Sequence, residues 1–491
     1  MLNKQTKVHF IAVGGAVMHN LALALSKKGF LVTGSDDEIY EPAKTRLANA
    51  GILPAENGWF PEKITADLDA IILGMHAKKD NPELAKAIEL GLKVYSFPEY
   101  VYEQTKNKQR VVIAGSHGKT SITSIILHVL AYYNRNFDYL VGAQIEGFDL
   151  MVKLTEDAPI VIIEGDEYLS SAIEMKSKFL FYHPHIMLLS GVAWDHFNVF
   201  PTFDKYVGAF EELADGMDKA GVIVFDETDD IVKVIGEKDR ADIVKVPYAA
   251  HPYLVDNGKV FLKTKNGNVE LKIFGEHNMK NLMGAKHILE RLGITEEQFY
   301  EAIQTFKGAS KRLETLGQNA NTHIYRDFAH APSKVGATTQ ATKELYGARK
   351  LVACYELHTF SSLNKDFLPQ YDQKLQDADV AVVFYSPHTL KMKNMPEISE
   401  EEIVKYFGRS DLKVITDSEG LRKFLGEINW FQTNLLLMSS GTFGGTDLNT
   451  LSAEILALPV EETFPEIETA PKSKKWGGLL GNLKGKLKKD K

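Results

Sequence analysis

The sequence predicts an α/β protein of three domains. Three observations carry that reading. Short β-branched runs alternate with helical periodicity over most of the chain, the pattern of parallel sheets covered by helices. A length of 491 residues corresponds to three domains at roughly 150 residues each. One run, Val111-Val112-Ile113-Ala114, breaks into the glycine turn Gly115-Ser116-His117-Gly118 and then a helix start, Lys119-Thr120-Ser121.

The elements run as follows. In residues 1–107, Val8 to Val13 reads as a strand that breaks at Gly14-Gly15 and leads to a helix over Met18 to Lys28. Phe30 to Thr33 is a second strand, ending in Gly34-Ser35-Asp36-Asp37. Ala70 to Gly74 is another, and Asn81-Pro82-Glu83 supplies an N-cap and a proline for the next helix. This is a nucleotide-binding βαβ half. Asp36 lies about where a ribose-binding carboxylate follows the first glycine turn. Ala16, Val17 and Met18 replace the later glycines of G-x-G-x-x-G, so nicotinamide binding is disfavoured.

Residues 108–309 open with the glycine turn. Ile160 to Ile163 is a buried strand ending in Glu164-Gly165-Asp166-Glu167, and Ile186 to Val192 is another, ending in Ala193-Trp194-Asp195-His196. Polar groups at such strand ends lie beside the ligand crevice of an open α/β sheet, and Glu164, Asp166, Glu167 and His196 beside a phosphate cradle read together as metal ligands; solvated loops are the plainer alternative. A strand-like alternation from Lys259 to Ile273 is broken at Lys265 to Asn268. Gly275 to Asn281 then opens a helix that sets Asn278 and Asn281 three apart on one face. These amides cap the helix or read a base edge.

Residues 310–458 alternate again. Their strands end at Asp327-Phe328-Ala329-His330-Ala331-Pro332, at Glu356-Leu357-His358 and at Ser439 to Gly445, with Lys311-Arg312 at the entrance. Residues 459–491 lose periodicity. Leucines and lysines around Trp476 allow a surface helix, but Gly477, Gly478, Gly481 and Gly485 weaken it, and a solvated disordered tail is the reading.

Composition narrows the function. A 44% apolar and 25% charged chain is ordinary for a globular enzyme, and a net charge of −8 argues against nucleic-acid binding. The one cysteine, Cys354, lies in a buried-strand pattern, so it reads as core, and so few cysteines fit a reducing, cytoplasmic setting. The amino-terminal apolar run ends in Gly14-Gly15 without a cleavage site, and no segment approaches the ~20 apolar residues needed to span a bilayer. No oligomeric state follows from the sequence.

The glycine turn carries the chemistry. A strand, a glycine turn and Lys-Thr at a helix start make a phosphate cradle of backbone N–H groups, helix dipole and a lysine charge. The Thr120 hydroxyl is placed for Mg²⁺. The spacing is G-x-x-G-K-T; the commoner G-x-x-x-x-G-K-[ST] requires a glycine at Ile113. By itself the motif also fits an ordinary strand-to-helix turn with a surface lysine.

Taken in order, Gly115-Ser116-His117-Gly118-Lys119-Thr120-Ser121, Gly34-Ser35-Asp36, Glu164 to Glu167, Asp195-His196, Gly275 to Asn281 and Asp327 to Pro332 resemble the Mur ligase family, ATP-dependent amide-forming enzymes of bacterial cell-wall synthesis. The resemblance spans about Lys7 to Leu458 and accounts for the short spacing, since that family's cradle reads G-T-H-G-K-T-T. It implies a Rossmann-like first domain, a P-loop-like ATPase domain, a Rossmann-like third domain, and ATP with Mg²⁺. By the same resemblance Gly115 to Ser121 bind ATP. Lys119, Glu164, His196, Arg312 and His330 also act in catalysis, and Thr120, Glu164 and His196 hold the metal. Asn278 contacts adenine with Asn281 supporting that loop, and Arg312, Asp327 and His330 reach across from the third domain to the nucleotide and the reacting groups. Some members carbamylate a lysine near the metal; no lysine stands at the strand end beside Glu164, so none is expected here.

The Gly14-Gly15 turn, Met18 and Gly34 to Asp36 resemble the branch that takes UDP-N-acetylmuramate, which implies sugar-nucleotide contacts at Gly14, Gly15, Ser35, Asp36 and His76. Within it, Glu164 to Tyr168, Lys176 to Phe179 and Met438 to Gly445 resemble a recycling ligase whose amine is the tripeptide L-alanyl-γ-D-glutamyl-meso-diaminopimelate. Glu356 to Ser361 leans toward the enzyme that adds L-alanine, the alternative. Leu169, Ala193 and Ala331 depart from the family pattern, which leaves room for a homologue that binds the sugar nucleotide without turnover. Folylpolyglutamate synthetases share the central chemistry but not this first domain.

Overall fold

The computed structural model describes residues 5–171, 173–194, 199–256, 258–309 and 312–462. Asp195, His196, Lys311 and the expected tail from residue 463 lie outside the described residues.

Three sheets organise the molecule. The first is four-stranded and parallel, in the order Leu31–Ser35, Lys7–Ile11, Ala70–Leu73, Val94–Ser96. Its first strand stops at Ile11, two residues before the sequence suggests. Ala12 turns into the left-handed region (φ 67), and the Ala12 and Val13 N–H groups donate to the Ser35 carbonyl. That early turn starts the helix Ala16–Lys27 directly after Gly15.

The second sheet has seven strands. Gln109–Ala114 lies between Ile160–Glu164 on one side and Ile186–Leu189 on the other, both parallel to it. Val222–Asp226 and Val244–Tyr248 extend one flank; Asp138–Leu140 and antiparallel Val152–Lys153 extend the other. Strand order therefore reverses at Gln109–Ala114, so a crevice opens beyond its carboxyl end, where the glycine turn sits. The helix Lys119–Tyr132 leaves that turn and buries Ile122, Ile125, Ile126, Val129 and Leu130. The alternation after Lys259 is an antiparallel hairpin, Lys259–Thr264 with Gly267–Leu271, joined by Tyr253–Asp256.

The third sheet runs Glu314–Gln318, His323–Asp327, Thr433–Met438, Lys350–Leu357, Val380–Tyr385, Lys413–Ile415, with only the first strand antiparallel. Cys354 is fully buried in it, and burial pushes its thiol far above its usual pKa. It is core, as the sequence reads. One apolar cluster runs from Val111 and Ile113 through Phe274 and Met279 to Tyr325 and Val335, so the second and third sheets share packing. Another joins Val8, Phe10 and Leu21 to Val112, Ile163 and Phe210. No helix among the described residues is long and apolar enough to cross a membrane.

Candidate functional site

The glycine turn, the acidic strand end at Glu164 and the start of the third domain face one cleft of ≈ 830 Å³, which Val17 and Phe97 reach from the first domain. Its floor is Ser116 to Ser121, entered from Gly115. Gly115 lies at φ +134 against the neighbouring strand end, where an added Cβ would sit 2.3 Å from Ser190 Oγ. Gly118 lies at φ +78, and a Cβ there would meet Asn281 Oδ1 at 2.4 Å. Both positions need glycine, and both let the backbone approach its neighbours and face a ligand closely.

The three acids after Ile160–Glu164 take three different partners. Glu164 accepts the Thr120 hydroxyl at 2.7 Å on one oxygen and the Gly142 N–H at 2.8 Å on the other. Glu167, fully buried, takes the Lys119 ammonium at 2.6 Å and the Tyr206 hydroxyl at 3.2 Å. Asp166 takes Lys178 at 2.6 Å. Asp166 and Glu167, which the sequence groups with Glu164 as a metal shell, are thus ion-paired to lysines. Among the described residues no three His, Cys, Asp or Glu side chains converge as a metal cage. The pair Thr120 and Glu164 remains as two hard oxygen donors, a set that suits Mg²⁺, which keeps waters and takes its other ligands from phosphate. His196, the third expected ligand, lies outside the described residues.

Burial opposes the charge on Lys119, but Glu167, Asp166 and Glu164 outweigh it and hold the ammonium above its usual pKa. Lys119 also donates to the Gly115 carbonyl at 2.6 Å, which fixes its stem across the turn. His117 goes the other way: burial, with Lys334 and Lys119 nearby, pushes it down to about 4. Its Nδ1 lies 2.9 Å from Ser116 Oγ, and its ring lies on the Gly191 backbone, where a Cβ would be 2.1 Å from Cε1. His117 is a neutral spacer between two strand ends, a role the sequence reading lacks.

The helix Glu276–Arg291 brings Asn278 and Asn281 to the same wall. Neither amide caps it: the cap residue, Gly275, receives no side-chain bond, and Asn278 donates back to the Phe274 carbonyl at 2.8 Å. From the third domain, Asp327 accepts the Leu313 and Ala329 N–H groups, each at 2.7 Å. Burial raises its pKa against the pull of Arg312. Arg312 lies over the Phe328 ring at 4.9 Å, and His330 lines the same cleft. The His330 carbonyl is held by Tyr355 and Tyr371 at 2.7 and 2.6 Å.

The residues expected to contact a sugar nucleotide, Gly14, Gly15, Ser35, Asp36 and His76, lie apart from that cleft's lining. Asp36 is buried and accepts the Gly14 N–H at 2.6 Å, so turn and acid hold each other. Burial pushes Asp36 up to about 6 despite that bond. Ser35 is fully buried beside it, Gly15 is half-buried and His76 is exposed.

Sequence reasoning assigns no site role to Lys178, Lys280, Lys334 or Gly142, which share the cleft. Lys178 follows Asp166 by twelve positions, but the loop turns back and Lys178 opens a short 3₁₀ turn, Lys178–Phe181, that returns it to the strand end. A lysine does stand in the loop that follows Glu164; distance along the chain concealed it. Lys334 begins the third domain's helix Pro332–Leu345, where spacing along the chain gives no warning.

Two family models match the chain: "Mur ligase family, catalytic domain" over residues 7–109 and "Mur ligase middle domain" over residues 113–289. A UDP-N-acetylmuramate–L-alanine ligase from Caldicellulosiruptor bescii is 30% identical over 412 residues, 81% of this chain and 87% of the relative. In fold, the chain is similar to a solved UDP-N-acetylmuramate–alanine ligase from Thermotoga maritima (TM-score 0.65, 21% identity, 92% of this chain and 98% of that one). It is also similar to a murein peptide ligase from Psychrobacter arcticus (TM-score 0.60, 21% identity, 93% and 100%).

Proposed function

The chain belongs to the Mur ligase family of ATP-dependent, C–N-bond-forming ligases, and from that premise we propose that it joins the carboxylate of UDP-N-acetylmuramate to an amine through an acyl phosphate. One observation carries the reading. Lys119, Thr120 and Glu164 stand together at the floor of one cleft whose walls come from all three domains. Such a site brings a nucleotide, an acid and an amine to one point, and orientation of that kind supplies much of the rate.

In this reading Gly115 to Ser121 cradle the ATP phosphates, Lys119 balances charge as it moves onto the transferring oxygens, and Asn278 with Asn281 lies toward adenine. Thr120 and Glu164, with His196, hold Mg²⁺, whose contribution is to neutralise phosphate charge. Arg312, Asp327 and His330 complete the third-domain wall. Gly14, Gly15, Ser35, Asp36 and His76 form the sugar-nucleotide end. We divide the chain at 107/108 and 309/310 on the same basis.

For the amine, the relatives' names favour L-alanine over the tripeptide that the loop motifs suggested. We therefore take L-alanine as the acceptor. The tripeptide is the second reading, supported by Lys176 to Phe179 and Met438 to Gly445 and by the likeness to the murein peptide ligase. An ADP-release assay with ATP, Mg²⁺ and UDP-N-acetylmuramate compares the two amines. L-alanine-dependent release supports the first reading, tripeptide-only release replaces it with the second, and no release with either overturns both.

A further inference from the structure

We propose that Lys178 binds the acyl carboxylate of the sugar-nucleotide donor, exchanging Asp166 for it as the cleft fills; the inference rests on the reading of the donor as UDP-N-acetylmuramate. Lys178 begins the turn Lys178–Phe181, which packs against the first domain's helix Phe97–Thr105. Two residues beyond that turn, His183 meets Tyr102 of the same helix at 4.9 Å between ring centroids. The turn is therefore the seam between the domain expected to hold the donor and the domain that holds the phosphate cradle. Phe97, Val17, Lys178 and Lys119 all line the one cleft.

The charges suit an anion arriving from that side. Lys119 is held by a buried carboxylate and by the Gly115 carbonyl, so it is fixed at the phosphate end. Among the described residues Lys178 is ion-paired with Asp166 alone and lies over the Tyr168 ring at 5.8 Å; the Asp166 side chain is 43% exposed while that of Lys178 is 15% exposed. A pair open on its carboxylate side is screened and weakly held, so a second carboxylate competes for the ammonium. Asp166 keeps its place by accepting the Tyr168 N–H at 3.1 Å on its other oxygen. A donor carboxylate held at Lys178 lies in the same cleft as Thr120 and Glu164, where it is to be phosphorylated.

The test compares Lys178→Met and Lys178→Arg with the unaltered full-length chain in steady-state ligation. Melting curves identify any variant that fails to fold. Loss of one charge-assisted hydrogen bond predicts a rise of about tenfold or more in donor KM for K178M. ATP KM should stay within about twofold, and K178R should recover most of the donor affinity because it keeps the charge. A second measurement is direct binding of UDP-N-acetylmuramate against UDP-N-acetylglucosamine, which lacks the carboxylate. The unaltered chain should prefer the former, and K178M should lose that preference. Unchanged donor KM, an equal rise in every KM, or a preference intact in K178M overturns the inference while the parent reading stands. If the unaltered chain releases no ADP with this donor, the parent reading fails and the inference with it.

Discussion

The Lys119 ammonium lies 2.6 Å from a carboxylate oxygen of Glu167, a side chain only 1% exposed. This pair, with the Gly115 carbonyl, holds the cation across the glycine turn that we propose as the phosphate cradle. Breaking a buried pair leaves an uncompensated charge, whereas a surface pair costs little to lose. Lys119→Met should therefore lower turnover by about a thousandfold or more, the scale seen when one charge-stabilising group is lost. Glu167→Gln should act differently. The lysine keeps its Gly115 contact, so ATP KM rises more than turnover falls. Steady-state kinetics on both variants checks this; near-normal turnover in the lysine variant would remove Lys119 from the cradle.

The metal requirement gives a second expectation. Glu164 binds Thr120 and Gly142 with its two oxygens, so Glu164→Gln keeps both contacts possible and removes only the charge. The half-saturating Mg²⁺ concentration should rise about 10- to 100-fold, as for other losses in a metal's environment, and His196→Ala should move it in the same direction. A superimposable Mg²⁺ titration for either variant excludes that residue from the metal shell.

His117 makes a pH prediction with a definite sign. Its folded pKa is about 4 because of burial and the nearby lysines Lys334, Lys119 and Lys280, while an unfolded histidine titrates near 6.5. The unfolded chain therefore binds the extra proton between those values. The neutral ring's share of stability is complete above pH 6.5 and is lost as pH falls toward 4, with a slope of at most about 1.4 kcal/mol per pH unit. His277, also pushed to about 4 by burial, adds in the same direction. Urea denaturation between pH 7.5 and 5 should show His117→Asn losing less stability than the parent chain. Parallel pH profiles would contradict the assignment.

Much of this site could be read from the sequence because its residues cluster at strand ends. Lys119, Thr120 and Glu164 follow two short β-branched runs, and open parallel sheets collect their ligands there. What the linear chain concealed were partners set by tertiary return. The Asp166–Lys178 pair depends on a loop folding back over twelve positions. His117 acquires its role from Gly191, far along the chain in the next strand's end. The first strand ends early at Ile11 because Ala12 adopts a left-handed turn, which alanine propensity alone does not announce.

Gly118 and Asn281 give a test in which two costs separate. Gly118 takes φ +78, and a methyl group there would stand 2.4 Å from Asn281 Oδ1. Gly118→Ala thus meets backbone strain of roughly 1–2 kcal/mol and, in addition, a collision with the helix that carries Asn278 and Asn281. Asn281→Ala removes the collision and leaves the strain. The double variant should therefore recover part of the melting temperature lost by Gly118→Ala, but not all of it. ATP KM should rise in both variants: in the single glycine variant through displacement of the turn's N–H groups, and in the double variant also through loss of the Asn281 side chain proposed to lie toward adenine. Differential scanning calorimetry and ATP titration check both. Strictly additive losses in the double variant would show that the turn and the helix are not in contact, since only groups that touch give a coupling energy.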